Sequence, residues 1–125
     1  MTQNTGCVLR KTYFIDIDGT LLEHIEDFEN VYQYSVLKAL PGAKEKTVQW
    51  HCEGHMIILT TARAESLRDI TETQLRNAGV VYDLLLMGLG SGKRVLINDI
   101  KDRYSFNKAD AHNIIRNIDG IINVE

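Results

Sequence analysis

The stretch FIDIDGTLL, residues 14–22, limits what this chain can fold into more than any other. An apolar run ends in Asp16 and Asp18, and side chains on a strand repeat every second residue, so alternation points both carboxylates to one side. Two like charges held that close repel, and the chain needs something to compensate them. Gly19 lets the backbone turn immediately after the acids, which leaves main-chain groups room to approach a ligand.

The pattern on either side alternates between strands and helices. Residues 7–10 and 11–17 read as strands, the second apolar enough to be buried on both faces, as a central strand is. From 29 to 40, Val31, Tyr32, Tyr34, Val36, Leu37 and Leu40 have roughly helical spacing. Pro41 then suits either a stop or the first turn of a second helix, over 43–53, closed by Gly54. HMIILTTAR, residues 55–63, is a core strand ending in hydroxyls. In ESLRDITETQLRNAG, residues 65–79, the spacing of Leu67, Ile70, Leu75 and Ala78 predicts a helix ended by Gly79. YDLLLM gives a third strand, GLGSGK a flexible loop and RVLIND, residues 94–99, a fourth strand ending in an acid. HNIIRN and the Asp119-Gly120 pair suggest one more short strand and turn.

This order predicts an α/β protein with a three-layer Rossmann-like fold, a mainly parallel central sheet flanked by helices, in a single domain over 1–125. Ligands of such sheets bind beyond the carboxyl ends of the strands. Asp16 and Asp18 end one strand, Thr60 and Thr61 another, and Asn98 and Asp99 a third, with Lys93 in the loop before the last. All are expected on one rim.

Composition narrows the partners. A net charge of -3, a pI near 5.8 and no basic cluster weigh against nucleic acid and acidic membranes. No apolar run approaches the ~20 residues that span a bilayer. Cys7 and Cys52, far apart in a chain with no signal peptide, read as reduced thiols in a cytoplasmic setting. His51, Cys52 and His55 include zinc-ligand types, but no fourth ligand has matching spacing. GLGSGK falls short of a nucleotide-binding P-loop, since only three residues separate Gly88 from Gly92 and Arg94 follows the lysine.

Two carboxylates from one strand end and a third from another make an oxygen-rich site for a hard cation such as Mg²⁺, which binds through few carboxylates and leaves room for water and phosphate. With a lysine and hydroxyl or N–H donors added, such a rim neutralises phosphoryl oxygens, which is most of what phosphoryl transfer needs. In that order DIDGT, TTAR, the lysine after a glycine-rich loop and LIND resemble the four motifs of the haloacid dehalogenase-like phosphatase superfamily, over about residues 12–103. The resemblance implies Asp16 as nucleophile and Asp18 as the acid, then base. It also implies Thr61, with Thr60 as the fallback, Lys93 and Arg63 at the phosphoryl group. Mg²⁺ would be held by Asp16, Asp18 through its backbone carbonyl, and Asp99, with Asp102 as the alternative third acid.

Residues 20–41 are too short for a folded cap domain, so the resemblance is to a capless member. The substrate expected is a small phosphomonoester, such as a sugar phosphate, at a site left open or closed by a second copy in a homo-oligomer. The alternatives are a macromolecular phosphate substrate, or a noncatalytic regulatory protein that kept the fold. A phosphoacceptor receiver domain also groups acids, a hydroxyl and a lysine, but it places its accepting aspartate on a later strand, where residues 56–61 offer hydroxyls and no acid.

Overall fold

The structure, a computed structural model, describes residues 9–26 and 31–125. Three strands form a parallel sheet in the order β1 (Thr12–Asp16), β2 (Met56–Thr60), β3 (Leu84–Leu86). Parallel strands need crossovers long enough to return the chain to its starting edge. Between β1 and β2 the crossover contains α1 (Ala43–Cys52), and between β2 and β3 a 3₁₀ turn at Glu65–Leu67 runs into α2 (Arg68–Asn77). The register sets Asp16 beside Thr60 and Thr60 beside Leu86, so the three carboxyl ends finish level.

Apolar spacing decides what each element buries. Ile57, Ile58 and Leu59 are buried on both sides of β2, which makes it the centre of the sheet. On β1 only one face is covered: Ile15 is buried and Tyr13 half-buried, while Phe14 on the other face is 55% exposed. Tyr13 stacks on Trp50 of α1 with ring centroids 3.8 Å apart, tying helix to strand. Within α1, the buried Thr47 hydroxyl donates to the Ala43 carbonyl at 2.7 Å and accepts the Val81 N–H at 3.1 Å, so this polar side chain is satisfied inside the core. Leu75 of α2 is fully buried with Ile17, Leu21 and Leu22 in the same core cluster.

Several expectations change here. Among the described residues the strand over 11–17 is an edge rather than a central strand, with a neighbour on one side only. Of the strand expected over 7–10, residues 7 and 8, with Cys7, lie outside the described residues, and Leu9 and Arg10 are not in a strand. Residues 29 and 30 likewise lie outside. The rest of the helix expected there reduces to a 3₁₀ turn at Val31–Gln33. Beyond it the Tyr34 and Ser35 carbonyls accept side-chain N–H groups of Gln74 and Asn77, at 2.7 and 2.8 Å. Leu37 and Leu40 are still buried, by an irregular chain that bonds back to residues 21–23.

The fourth strand is also absent: residues 94–100 have no regular structure, and Val95, Leu96 and Ile97 are 77, 58 and 86% exposed. Apolar pattern proposes a strand, but only a paired neighbour makes one. The short strand expected at the C-terminal end is replaced by turns over 116–123. They dock on the start of α1, where the Ile121 N–H donates to the Pro41 carbonyl at 2.8 Å.

Candidate active site

At the end of β1 the chain folds sharply back. The Ile17 carbonyl accepts the N–H groups of Thr20, Leu21 and Leu22 at 2.9–3.1 Å, and Gly19 takes φ +87°, a left-handed value that glycine adopts without a Cβ penalty. Asp16 and Asp18 are thereby held on one short loop. The Thr20 hydroxyl donates to Asp16 Oδ2 at 3.1 Å. Asp16 keeps solvent access, yet packing around its carboxyl raises its pKa above the ordinary 3.8. The Asp18 charge adds to that rise, while the Thr20 hydroxyl, the Ile17 backbone and the charge of Arg94 oppose it.

Asp18 is compensated differently. Arg63 Nε donates to its Oδ2 at 3.0 Å and Nη2 to its Oδ1 at 2.7 Å, a two-pronged ion pair with the arginine side chain 1% exposed. Nη1 of Arg63 donates to the Thr71 hydroxyl and to Gln74 Oε1, at 3.0 and 2.6 Å. The Arg63 guanidinium also lies 5.9 Å from the centre of the Tyr32 ring. Arg63 is thus a buried tie between the acid loop and α2.

The other residues of the expected rim have these surroundings. Thr60 ends β2 level with Asp16. Thr61 is buried, and its hydroxyl accepts the Arg63 N–H at 3.1 Å. Lys93 lies in an exposed loop. Asp99 is exposed and pairs with Lys108 at 2.6 Å, while Asp102 Oδ1 accepts the Tyr104 N–H and the Ser105 hydroxyl. Among the described residues no three His, Cys, Asp or Glu side chains are grouped as a metal site. His55 accepts the Lys11 N–H at 2.9 Å and meets Tyr13 edge-on.

A cavity of about 260 Å³ opens beside the acids, lined by Asp16, Asp18, Gly19, Thr20, Ile114 and Arg116. A larger one, about 540 Å³, lies between residues 111–114 and 119–124 and shares Ile114 with it. The donor chemistry of the smaller cavity fits a hard cation. Asp16 is an ionisable carboxyl whose negative charge is disfavoured where it stands, and Mg²⁺ commonly binds through one or two carboxylates with the remaining positions filled by water and phosphate. Sequence reading missed Arg94, whose charge reaches Asp16, and the C-terminal wall of the cavity. No motif marks that wall; the only hint was an arginine beside the asparagine that turns the chain.

No family model matches the chain, and no curated protein matches it. Among solved structures, a structural-genomics target from Vibrio cholerae is 21% identical with a TM-score of 0.51, over 70% of this chain and 79% of that one. A D,D-heptose bisphosphate phosphatase from B. bronchiseptica, crystallised with magnesium and phosphate, is 19% identical with a TM-score of 0.48, over 65% of this chain. The alignment covers 51% of that enzyme, about half its length. The chain shares its α/β fold, a parallel sheet with helical crossovers, with the Vibrio cholerae structure. Among the described residues no helix is long and apolar enough to cross a membrane.

Proposed function

We propose that this chain is a capless, Mg²⁺-dependent phosphomonoesterase acting in the cytoplasm on a small phosphorylated metabolite, with a sugar phosphate preferred. One observation carries the reading: two aspartates share a glycine turn at the carboxyl end of a parallel strand, beside a cavity, and one of them is poorly compensated. In this reading Asp16 attacks phosphorus, the ester P–O bond breaks, and the departing oxygen keeps the electron pair and takes a proton from Asp18. Asp18 then accepts a proton from water as that water attacks the phosphoryl group, which releases inorganic phosphate and restores Asp16. Arg63 donates one hydrogen bond to each oxygen of Asp18, which leaves a second lone pair on each oxygen for the proton.

Asp16 and the backbone at Asp18 would hold Mg²⁺, which supplies charge to offset the phosphoryl oxygens. Thr61, Thr60 and Lys93 are assigned to those oxygens by motif order. Asp99, or Asp102 in its place, is assigned to the metal on the same ground. Turnover of p-nitrophenyl phosphate in Mg²⁺ is expected from the full chain and is expected to vanish in Asp16→Asn. Equal turnover by that variant would refute the assignment.

A noncatalytic reading is favoured by the ion pairs that engage Asp18 and Asp99. No turnover across a panel of phosphorylated sugars, nucleotides, amino acids, peptides and oligonucleotide ends would select it. Turnover of the peptides or oligonucleotides alone would select a macromolecular substrate instead.

A further inference from the structure

The wall of the acid cavity that no motif predicts is built by the segment around Arg116. Asn117 fastens it: its N–H donates to the Gly19 carbonyl at 3.0 Å, its side-chain oxygen accepts the His24 N–H at 2.6 Å, and its side-chain NH₂ donates to the His24 carbonyl at 3.0 Å. One residue of the tail therefore grips the loop after the acids at three points. Asn117 has φ +63°, a left-handed conformation that asparagine tolerates better than most side chains, and it turns the chain at this point. The Ile115 N–H donates to Asp119 Oδ2 at 2.7 Å, closing the turn from the other side.

Arg116 is exposed overall, and its aliphatic stem lies against Gly19 of the acid loop. A Cβ placed on Gly19 would fall 2.8 Å from Arg116 Cγ, so the absence of a side chain at Gly19 is what lets the arginine stem lie there. Among the described residues no carboxylate stands within ion-pair distance of Arg116. The neighbouring cations are otherwise engaged. Arg63 is bonded to Asp18, Thr71 and Gln74, and Arg94 Nη1 to the Gly90 and Gly92 carbonyls. Of the residues lining the cavity, Arg116 is the one that carries positive charge.

We infer that Arg116 is the phosphoryl-binding cation of this cavity and Asn117 its positioning residue. The inference rests on the phosphomonoesterase reading and adds a specific contact to it. A phosphate dianion entering beside two aspartates needs positive charge near its nonbridging oxygens, and a guanidinium meets two of them at once with parallel N–H donors. The segment that walls the cavity contributes this group in addition to Lys93, which motif order assigns to the same oxygens and which precedes an irregular stretch over 94–99.

The test is binding of inorganic phosphate to the full chain in Mg²⁺, by calorimetry, for wild type, Arg116→Gln, Arg116→Lys and Asn117→Ala. Gln keeps much of the stem and removes the charge. It is expected to weaken phosphate about 10- to 100-fold, as loss of a charge-assisted hydrogen bond does, with the phosphate-free unfolding temperature unchanged. Lys is expected to recover part of the loss, because charge returns without the fork, and Asn117→Ala to weaken phosphate with Arg116 still present. Equal affinity in wild type, Arg116→Gln and Arg116→Lys overturns the inference, as does a wild-type chain that binds no phosphate. If wild type binds phosphate in an Arg116-dependent way but hydrolyses no ester, the contact stands and the phosphomonoesterase reading falls. Turnover that requires Asp16 with phosphate binding indifferent to Arg116 is the reverse result.

Discussion

At the scale of single residues, Asp16 and Asp18 sit two positions apart in unlike surroundings. Asp18 belongs to a buried network in which one arginine bonds Asp18, Thr71 and Gln74. Arg63→Met keeps the length of the side chain but leaves Asp18 and Gln74 without that partner. Breaking a buried pair from one side is expected to destabilise the chain by about 3 kcal/mol or more, read from urea denaturation. Asp16 behaves oppositely, since its pKa is raised by burial and then by the Asp18 charge. The folded chain binds that proton more readily than the unfolded chain, so stability falls as pH rises from 3.8 through the raised value and the loss persists above it. In metal-free buffer Asp16→Asn is therefore expected to raise the urea midpoint at pH 7, with a gain that shrinks as pH is lowered toward 3.8. A gain independent of pH would contradict this. The acid pair was legible because both members sit on one strand end, where geometry follows from spacing. The Arg63 network was not, because its partner Asp18 lies 45 positions away and Thr71 and Gln74 look like ordinary polar positions of a helix.

Among the elements, α1, β2, α2 and β3 follow from local pattern, because each is anchored by a buried apolar residue, Trp50, Leu59, Leu75 and Leu85, and the two helices are followed by glycines at φ +88° and +76°. Leu75 on α2 is fully buried, and Leu75→Ala is expected to destabilise by about 2–5 kcal/mol in equilibrium unfolding, the range for a core truncation that leaves a cavity. A change below about 1 kcal/mol would mean that α2 does not carry the core. Pattern misleads where pairing decides. Residues 31–40 have helical spacing, but the Tyr34 and Ser35 carbonyls are claimed by Gln74 and Asn77, and residues 95–97 are apolar without a neighbouring strand. Neither fact can be seen in a window of sequence, since both depend on what lies alongside in space.

Across the whole molecule, the tail joins two places that the sheet does not reach. Asn117 holds the acid loop, and Gly120 packs on Pro41 at the entry to α1 with φ +59°, where an added Cβ would lie 2.2 Å from the Pro41 carbonyl oxygen. Gly120→Ala is expected to unseat this turn, lower stability by about 1–3 kcal/mol and weaken phosphate binding together with it. Unchanged stability with phosphate affinity intact would show that the tail does not depend on the close approach. The grip of Asn117 on His24 spans 93 positions of the chain. During synthesis the acid loop leaves the ribosome well before the residue that grips it, and one side of it stays open to water until those 93 positions have been added.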